Sequence, residues 1–177
     1  MQAAISFDTL TVPIVWTPLP MGTCMGLNRT SKPADAEIQT AVSVAGGYSD
    51  DGQYFGRVTL GFASAKIEMS IFSWPRMTAN ERRQLQSVYR ATLWHEIGHL
   101  VTAQASVAAE NARPENMVTT SSRVDIVAQT RERANAAFAR INADQNRYDD
   151  LTGHGIEQDQ APPPLAGADT VARCDAR

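Results

Sequence analysis

Residues 78–112 read TANERRQLQSVYRATLWHEIGHLVTAQASVAAENA and have the periodicity of one long helix. They open with the capping-box pattern T-x-x-E, in which Thr78 caps the first turn and Glu81 reaches back to it. Apolar residues then recur every three or four positions, as on the buried face of a helix. These residues are Leu85, Tyr89, Leu93, Ile97 and Leu100. Because Pro114 follows, we expect the helix to extend from about Ala79 to about Ala112.

The middle of this predicted helix carries the pentapeptide HEIGH at residues 95–99. It matches the pattern H-E-x-x-H, which places His95 and His99 one turn apart on the same helix face. Two imidazoles in that arrangement can share one metal ion, and Glu96 beside them can hold and deprotonate a water molecule. The chain has only three histidines, so a chance match is uncommon. The pattern therefore favours a zinc site over a pair of surface histidines.

The third protein ligand of a catalytic zinc ion has to come from another part of the chain. The metzincin pattern H-E-x-x-H-x-x-G-x-x-H needs glycine and histidine where this chain has Thr102 and Ala105, so it is excluded. His154 is the favoured third ligand. Asp149 is the alternative, either as a ligand or as a carboxylate that orients a ligating imidazole. Three glutamates are further candidates: Glu110, Glu115 and Glu132.

A second long helix is predicted from about Ser122 to Leu151. Its apolar residues recur at helical spacing. They are Val124, Val127, Ala134, Phe138, Ile141 and Tyr148. At about 100° per residue, Tyr148 and Asp149 face inward with this stripe and Asp150 faces outward. Gly153 then suits the left-handed end of the helix.

The pairing of the two helices poses a geometric question. An antiparallel pair that brings position 149 beside position 99 needs its turn near position 124. The first helix is predicted to end well before that point. Either residues 113–122 project beyond it, or the helices cross at a wide angle.

The first third of the chain is rich in β-prone residues. A strand is predicted at residues 11–16 because they are a β-prone run, and two more at 57–62 and 66–72, where apolar and polar side chains alternate. The last two are expected to form a hairpin with its turn at residues 63–65, and one of them to present an edge for an extended peptide. For residues 33–44 a short helix is favoured over a strand.

The predicted class is α+β: a small N-terminal β-sheet packed on two long helices, as in a zincin-like single domain. Residues 1–156 would form this domain, because a chain of 177 residues fits one domain. Residues 157–177, which include three consecutive prolines, would form an extended tail. The chain's only two cysteines, Cys24 and Cys174, allow one disulfide or two free thiols.

Composition excludes several functions. A net charge of −3 argues against a nucleic-acid partner, which requires a basic face. The chain contains no apolar run near the roughly 20 residues that span a bilayer. Its first residues also lack the basic and apolar regions of a signal peptide. The sequence does not determine the oligomeric state.

The pairing of HEIGH with a later string, YDDLTGHG at residues 148–155, resembles the bacterial domain-of-unknown-function family numbered 922. The hallmark of that family is H-E-x-G-H followed by Y-D-x-x-T-x-H-G, and every fixed position matches. The family is predicted to comprise zinc-dependent proteases, many of them exported. The resemblance implies a zinc metallopeptidase with a peptide or protein substrate, outside the cytoplasm although no signal peptide is identified.

This interpretation gives each candidate residue a role. His95, His99 and His154 bind Zn²⁺. Glu96 takes a proton from water and passes it to the leaving amine. Tyr148 either donates a hydrogen bond to the oxyanion or is a core aromatic residue. Alternatives are a zinc hydrolase of a non-protein amide such as a cell-wall peptide, a binding module with a structural metal, and a toxin-like effector.

Overall fold

The computed structural model describes residues 3–7, 10–18, 34–71 and 78–153. The elements in chain order are β1 (Ala3–Phe7), β2 (Leu10–Pro18), β3 (Ala34–Tyr48), β4 (Tyr54–Ile71), α1 (Ala79–Asn111), a 3-10 turn (Pro114–Asn116), β5 (Met117–Thr120) and α2 (Arg123–Thr152). A sheet followed by two long helices confirms the α+β class. Within these ranges no helix is long and apolar enough to cross a membrane. Some predictions lie outside the described residues: those for His154, Cys24, Cys174 and the tail at 157–177.

The described strands form one sheet in the order β1-β2-β4-β3, with β5 also paired to β4. β1 is antiparallel to β2, and β2 runs parallel to β4 with Ile14 opposite Ile67. β5 is antiparallel to the start of β4, from Tyr54 to Arg57. The strand predicted at residues 11–16 is confirmed as part of β2. Since β4 lies between β2 and β3, it is not the edge strand that the sequence suggested; β3 ends the order.

The hairpin predicted at residues 57–72 is wrong, because β4 is one continuous strand. Val58 and Leu60 are buried at even positions, whereas Ile67 and Met69 are buried at odd positions. The buried positions therefore change from even to odd along one continuous strand. This change of phase is the pattern from which the hairpin was predicted.

The helix favoured at residues 33–44 is also wrong, because residues 34–44 belong to β3. The real reversal follows β3, where the N–H of Ser49 donates to the carbonyl of Gln53 at 2.8 Å. Gly52 in this turn has a φ of 83°, which glycine adopts without strain. Pairing with β4 decides the conformation of β3, because strand preference depends on neighbouring strands more than on local propensity.

Both long helices are confirmed, with bounds within a residue or two of those predicted. The inward phase is confirmed for Leu100 on α1 and for Ile141 and Tyr148 on α2, all of which are buried. It is wrong for the first turns of α2, where Val124 and Val127 are 77% and 62% exposed.

Ile126 and Thr130 are the buried residues at the start of α2. They pack over Gly56 of β4, and a methyl group added to Gly56 would lie 2.7 Å from Cγ2 of Thr130. Contact with the strand therefore decides which helix face is buried. Spacing of three and four residues alone fits either face.

The chain divides into two compact units. The first takes the described residues up to Glu37, those from Ala65 to Leu100 and those from Arg147 onward. The second takes Ile38–Ser64 and Val101–Asn146. Buried apolar residues of the first unit include Val12, Ile67, Met69 and Leu100, and those of the second include Leu60, Val107, Ala137 and Ile141.

The two helices run antiparallel within the second unit. Ser106 donates to Asp144 at 2.6 Å, and Arg140 donates to Glu110 at 2.7 Å. Both pairs are centred on position 125, which agrees with the turn expected near position 124. The 3-10 turn and β5 fill the interval after α1 ends at Asn111. The first turns of α2 therefore have no α1 residue opposite them and pack on the sheet.

Gly56 offers a direct test of this packing. We expect Gly56→Ala to lower the free energy of unfolding by about 1–3 kcal/mol, the usual effect of overpacking. The added methyl group would meet Cγ2 of Thr130 at 2.7 Å and Cγ1 of Ile126 at 3.4 Å, and both side chains are β-branched and stiff. Urea unfolding of each variant measures the change.

Gly61→Ala is the matched control on the same strand. Among the described residues, none lies within 4 Å of a methyl group placed there, so the change should stay within about 0.5 kcal/mol. Equal unfolding free energies for the Gly56→Ala and Gly61→Ala proteins would contradict the described contact between α2 and β4.

Candidate metal centre

The two sequence strings meet in the first unit. His95 and His99 lie on α1, and their Nε2 atoms are 3.2 Å apart. Oδ1 of Asp149, near the end of α2, lies 3.0 Å from Nε2 of His99 and 3.2 Å from Nε2 of His95. Within the described ranges, these three residues form the group that could hold a metal ion.

The donor atoms suit a tetrahedral zinc ion. Bonds of about 2.0–2.1 Å place neighbouring ligand atoms roughly 3.3 Å apart at the corners of a tetrahedron. The three observed separations are 3.0 to 3.2 Å. Imidazole nitrogen and carboxylate oxygen are also ligand types that zinc accepts. The residues present therefore fit a zinc ion in both chemistry and spacing.

The position of Asp149 on α2 explains why its side chain faces the histidines. Its side chain is 27% exposed and turned toward the histidines, whereas Asp150 is exposed. This agrees with the inward and outward faces predicted for the two carboxylates. The favoured third ligand, His154, lies outside the described residues.

Tyr148 supports both imidazoles. Its ring stacks on His95 with centroids 5.2 Å apart and meets the ring of His99 edge to face at 4.9 Å. Its hydroxyl donates to the backbone carbonyl of His95 at 3.2 Å, and the residue is only 6% exposed. In this arrangement Tyr148 positions the first histidine of the motif.

Thr152 also reaches His95, a contact that the sequence analysis missed. Its Oγ1 lies 3.2 Å from Nδ1 of His95, on the opposite side of the ring from the converging Nε2 atom. Its only signal in the sequence is that it occupies the fixed threonine position of the second string, next to the predicted end of the helix. The turn that follows is as predicted, because Gly153 has a φ of 53°.

Glu96 is buried beside the histidines, with 6% of its surface exposed. Burial raises the pKa of its carboxyl to about 7, since a buried carboxylate loses hydration. The charge of His99 and a hydrogen bond from the backbone N–H of Ala36 oppose this rise. Ala36 lies on β3. Because a helix was predicted there, the contact with Glu96 was not predicted.

The glutamates considered as third ligands are not part of this group. Glu110 is 3% exposed and accepts hydrogen bonds from Arg140 at 2.7 Å and from Arg113 at 2.9 Å. The Arg140 guanidinium holds the pKa of Glu110 below its usual range. Glu115 also pairs with Arg113. Both belong to the second unit, as does the exposed Glu132.

Comparison with known proteins assigns the family. The sequence profile described as "Bacterial protein of unknown function (DUF922)" matches residues 25–155. Searches of curated proteins and of solved structures gave no match. The matched range covers most of the 177 residues and includes both strings of the candidate metal centre. The chain therefore belongs to the bacterial family DUF922.

Proposed function

We propose that this protein is a zinc-dependent metallopeptidase that hydrolyses peptide bonds. The observation that carries the proposal is the convergence of two imidazole nitrogens of α1 and one carboxylate oxygen of α2 at 3.0 to 3.2 Å. The buried Glu96 lies between the two histidines on α1. A zincin-like fold and a location outside the cytoplasm belong to the same proposal.

His95, His99 and Asp149 would hold the ion, with His154 as the alternative to Asp149. A bound zinc ion supplies a Lewis acid that acidifies water and polarises the carbonyl group to be attacked. A catalytic site keeps one position open, whereas a structural zinc site is closed by four protein ligands.

Glu96 supplies the proton transfer in this proposal. As a carboxylate it accepts a proton from the attacking water and then delivers that proton to the leaving amine. The pKa of about 7 suits a group that must both take and release a proton near neutral pH. The Ala36 N–H donates to the carboxylate of Glu96 and so helps to orient the group that would take the proton.

Tyr148 acts in the proposal through His95. Its ring and hydroxyl both engage that histidine. Donation to an oxyanion would require the hydroxyl to leave the carbonyl of His95. We therefore place Tyr148 among the residues that orient the site, and Glu96 as the residue that moves the proton.

A zinc-removal experiment tests the proposal. The purified full chain is loaded with zinc and incubated with a pool of quenched fluorescent peptides. We expect cleavage to stop when a chelator removes the zinc and to return when zinc is restored. Cleavage that persists without zinc would contradict the proposal. A zinc-loaded protein that cleaves no peptide but releases amines from cell-wall peptides would favour the non-protein amide instead.

A further inference from the structure

The side chain of Thr152 joins the end of α2 to the first histidine of α1. Thr152 is completely buried. Its Oγ1 lies 2.9 Å from the carbonyl oxygen of Tyr148, one turn earlier on the same helix. It also lies 3.2 Å from Nδ1 of His95. Both partners belong to the first unit.

A hydroxyl group has one proton to donate. The carbonyl of Tyr148 can only accept, and it is the nearer partner of Thr152. When the Thr152 proton goes to that carbonyl, Oγ1 can only accept from His95. Nδ1 of His95 must then carry a proton, and its Nε2 is left with a lone pair.

We propose that Thr152 is a positioning residue that holds His95 in the Nδ1-protonated tautomer and thereby presents the lone pair of Nε2 to a metal ion. This inference deepens the proposed function and rests on it, because the metal is the reason that the lone pair matters. Partners of this kind orient metal-binding histidines and strengthen metal affinity.

The surrounding contacts agree with this assignment. With Nδ1 of His95 protonated, Nε2–H of His99 can donate to Oδ1 of Asp149 at 3.0 Å in the metal-free protein. Tyr148 stacks on the His95 ring at an interplanar angle of 18°, which limits rotation of that ring about its Cβ–Cγ bond. The exception is Oδ1 of Asp149, which also lies 3.2 Å from Nε2 of His95 and competes for a proton on that nitrogen.

The tautomer can be measured in the wild-type protein without any activity. Long-range proton–nitrogen spectra of the zinc-free chain, recorded where histidine is neutral, distinguish the two ring nitrogens of His95. We expect the Nδ1-protonated form to predominate. Predominance of the Nε2-protonated form would overturn the proposal, whether or not the protein is a peptidase.

Substitution gives a second readout, the dissociation constant for zinc alone. Thr152→Val removes the hydroxyl and should weaken zinc binding about 10- to 100-fold, the usual cost of losing such a partner. Thr152→Ser keeps the hydroxyl and should restore binding to within about threefold of wild type on the same scale. The His95 tautomer should shift in the valine variant and not in the serine variant.

Thr130→Val is the matched control. Thr130 is also buried on α2, and its hydroxyl donates to the carbonyl of Ile126, one turn earlier, at 2.7 Å. It belongs to the second unit and is not part of the metal-ligand group. Zinc affinity should therefore be unchanged in Thr130→Val. An equal loss in both valine variants would overturn the proposal by showing a general effect of the helix bond.

The two proposals can fail separately. If Thr152→Val does not fold, the wild-type tautomer and the zinc affinity of Thr152→Ser still decide the role of Thr152. If the wild-type chain binds zinc with the expected tautomer but cleaves no peptide, the proposed peptidase fails and the role of Thr152 stands.

Discussion

Glu96→Gln is expected to leave zinc bound and to lower the rate of peptide hydrolysis by about 10²- to 10⁴-fold, the contribution of a positioned general base. Glutamine has nearly the same shape as glutamate, but its amide cannot accept the proton from water. The carboxylate of Glu96 is not among the three converging donor atoms, so the metal should remain. Zinc content by mass spectrometry and kcat on one cleaved peptide give the two required numbers.

The control for this experiment is Glu132→Gln. Glu132 is exposed on α2, and the same loss of charge there should leave both zinc content and kcat unchanged. Wild-type turnover in Glu96→Gln would remove Glu96 from the proposed mechanism. Loss of zinc from that variant would instead show that Glu96 contributes to binding.

Asp149→Asn should weaken zinc binding by more than about 100-fold. Loss of a residue that only orients a metal ligand already weakens metal binding about 10- to 100-fold, and loss of a ligand itself should have a larger effect. The substitution removes the negative charge and the oxygen that lies 3.0 Å from Nε2 of His99. Asp150→Asn makes the same change at the next residue, where the side chain is exposed. Asp150→Asn should leave the zinc dissociation constant within about twofold of the wild-type value.

His154→Ala completes this comparison. If Asp149 is the third ligand, the alanine variant should bind zinc nearly as tightly as the wild type. A large loss in His154→Ala with little change in Asp149→Asn would assign the third ligand to His154. If neither variant loses zinc affinity, both assignments of the third ligand are contradicted.

Much of the candidate site could be predicted from the sequence, because it depends on helix phase. The spacing of the two histidines in residues 95–99 and the inward phase of Asp149 are properties of single helices. The first helix also has a start signal in the capping box at Thr78, and the ends of the two helices are marked by Pro114 and Gly153. The same geometry predicted that the chain reverses near position 124. The hydrogen-bonded pairs that join the two helices are centred on position 125, which agrees with that prediction.

The sheet could not be predicted equally well. In β4 the buried positions change from even to odd between Leu60 and Ile67, and a turn between two strands would produce the same sequence pattern. Thr30 and Ser31, which precede β3 in the sequence, are residue types that cap helices, and only the pairing of β3 with β4 makes it a strand. Because Ala36 lies on that strand, its hydrogen bond with Glu96 could not be predicted either.

The buried face of the first turns of α2 and the role of Thr152 could not be predicted either, because both depend on contacts between different parts of the chain. Val124 and Val127 have the right spacing for a core face, but the strand beneath the helix meets Ile126 instead. Thr152 is an ordinary residue for the last turn of a helix. Its contact with Nδ1 of His95 depends on the exact placement of α1 against α2.

The most direct test of the metal centre is the position of zinc in a crystal of the full chain, located by anomalous scattering at the zinc edge. We expect one ion bound to Nε2 of His95 and Nε2 of His99, with Asp149 or His154 as the third protein ligand and a water molecule at the fourth position. An ion bound elsewhere, or no ion between the two imidazoles at saturating zinc, would contradict the proposed site.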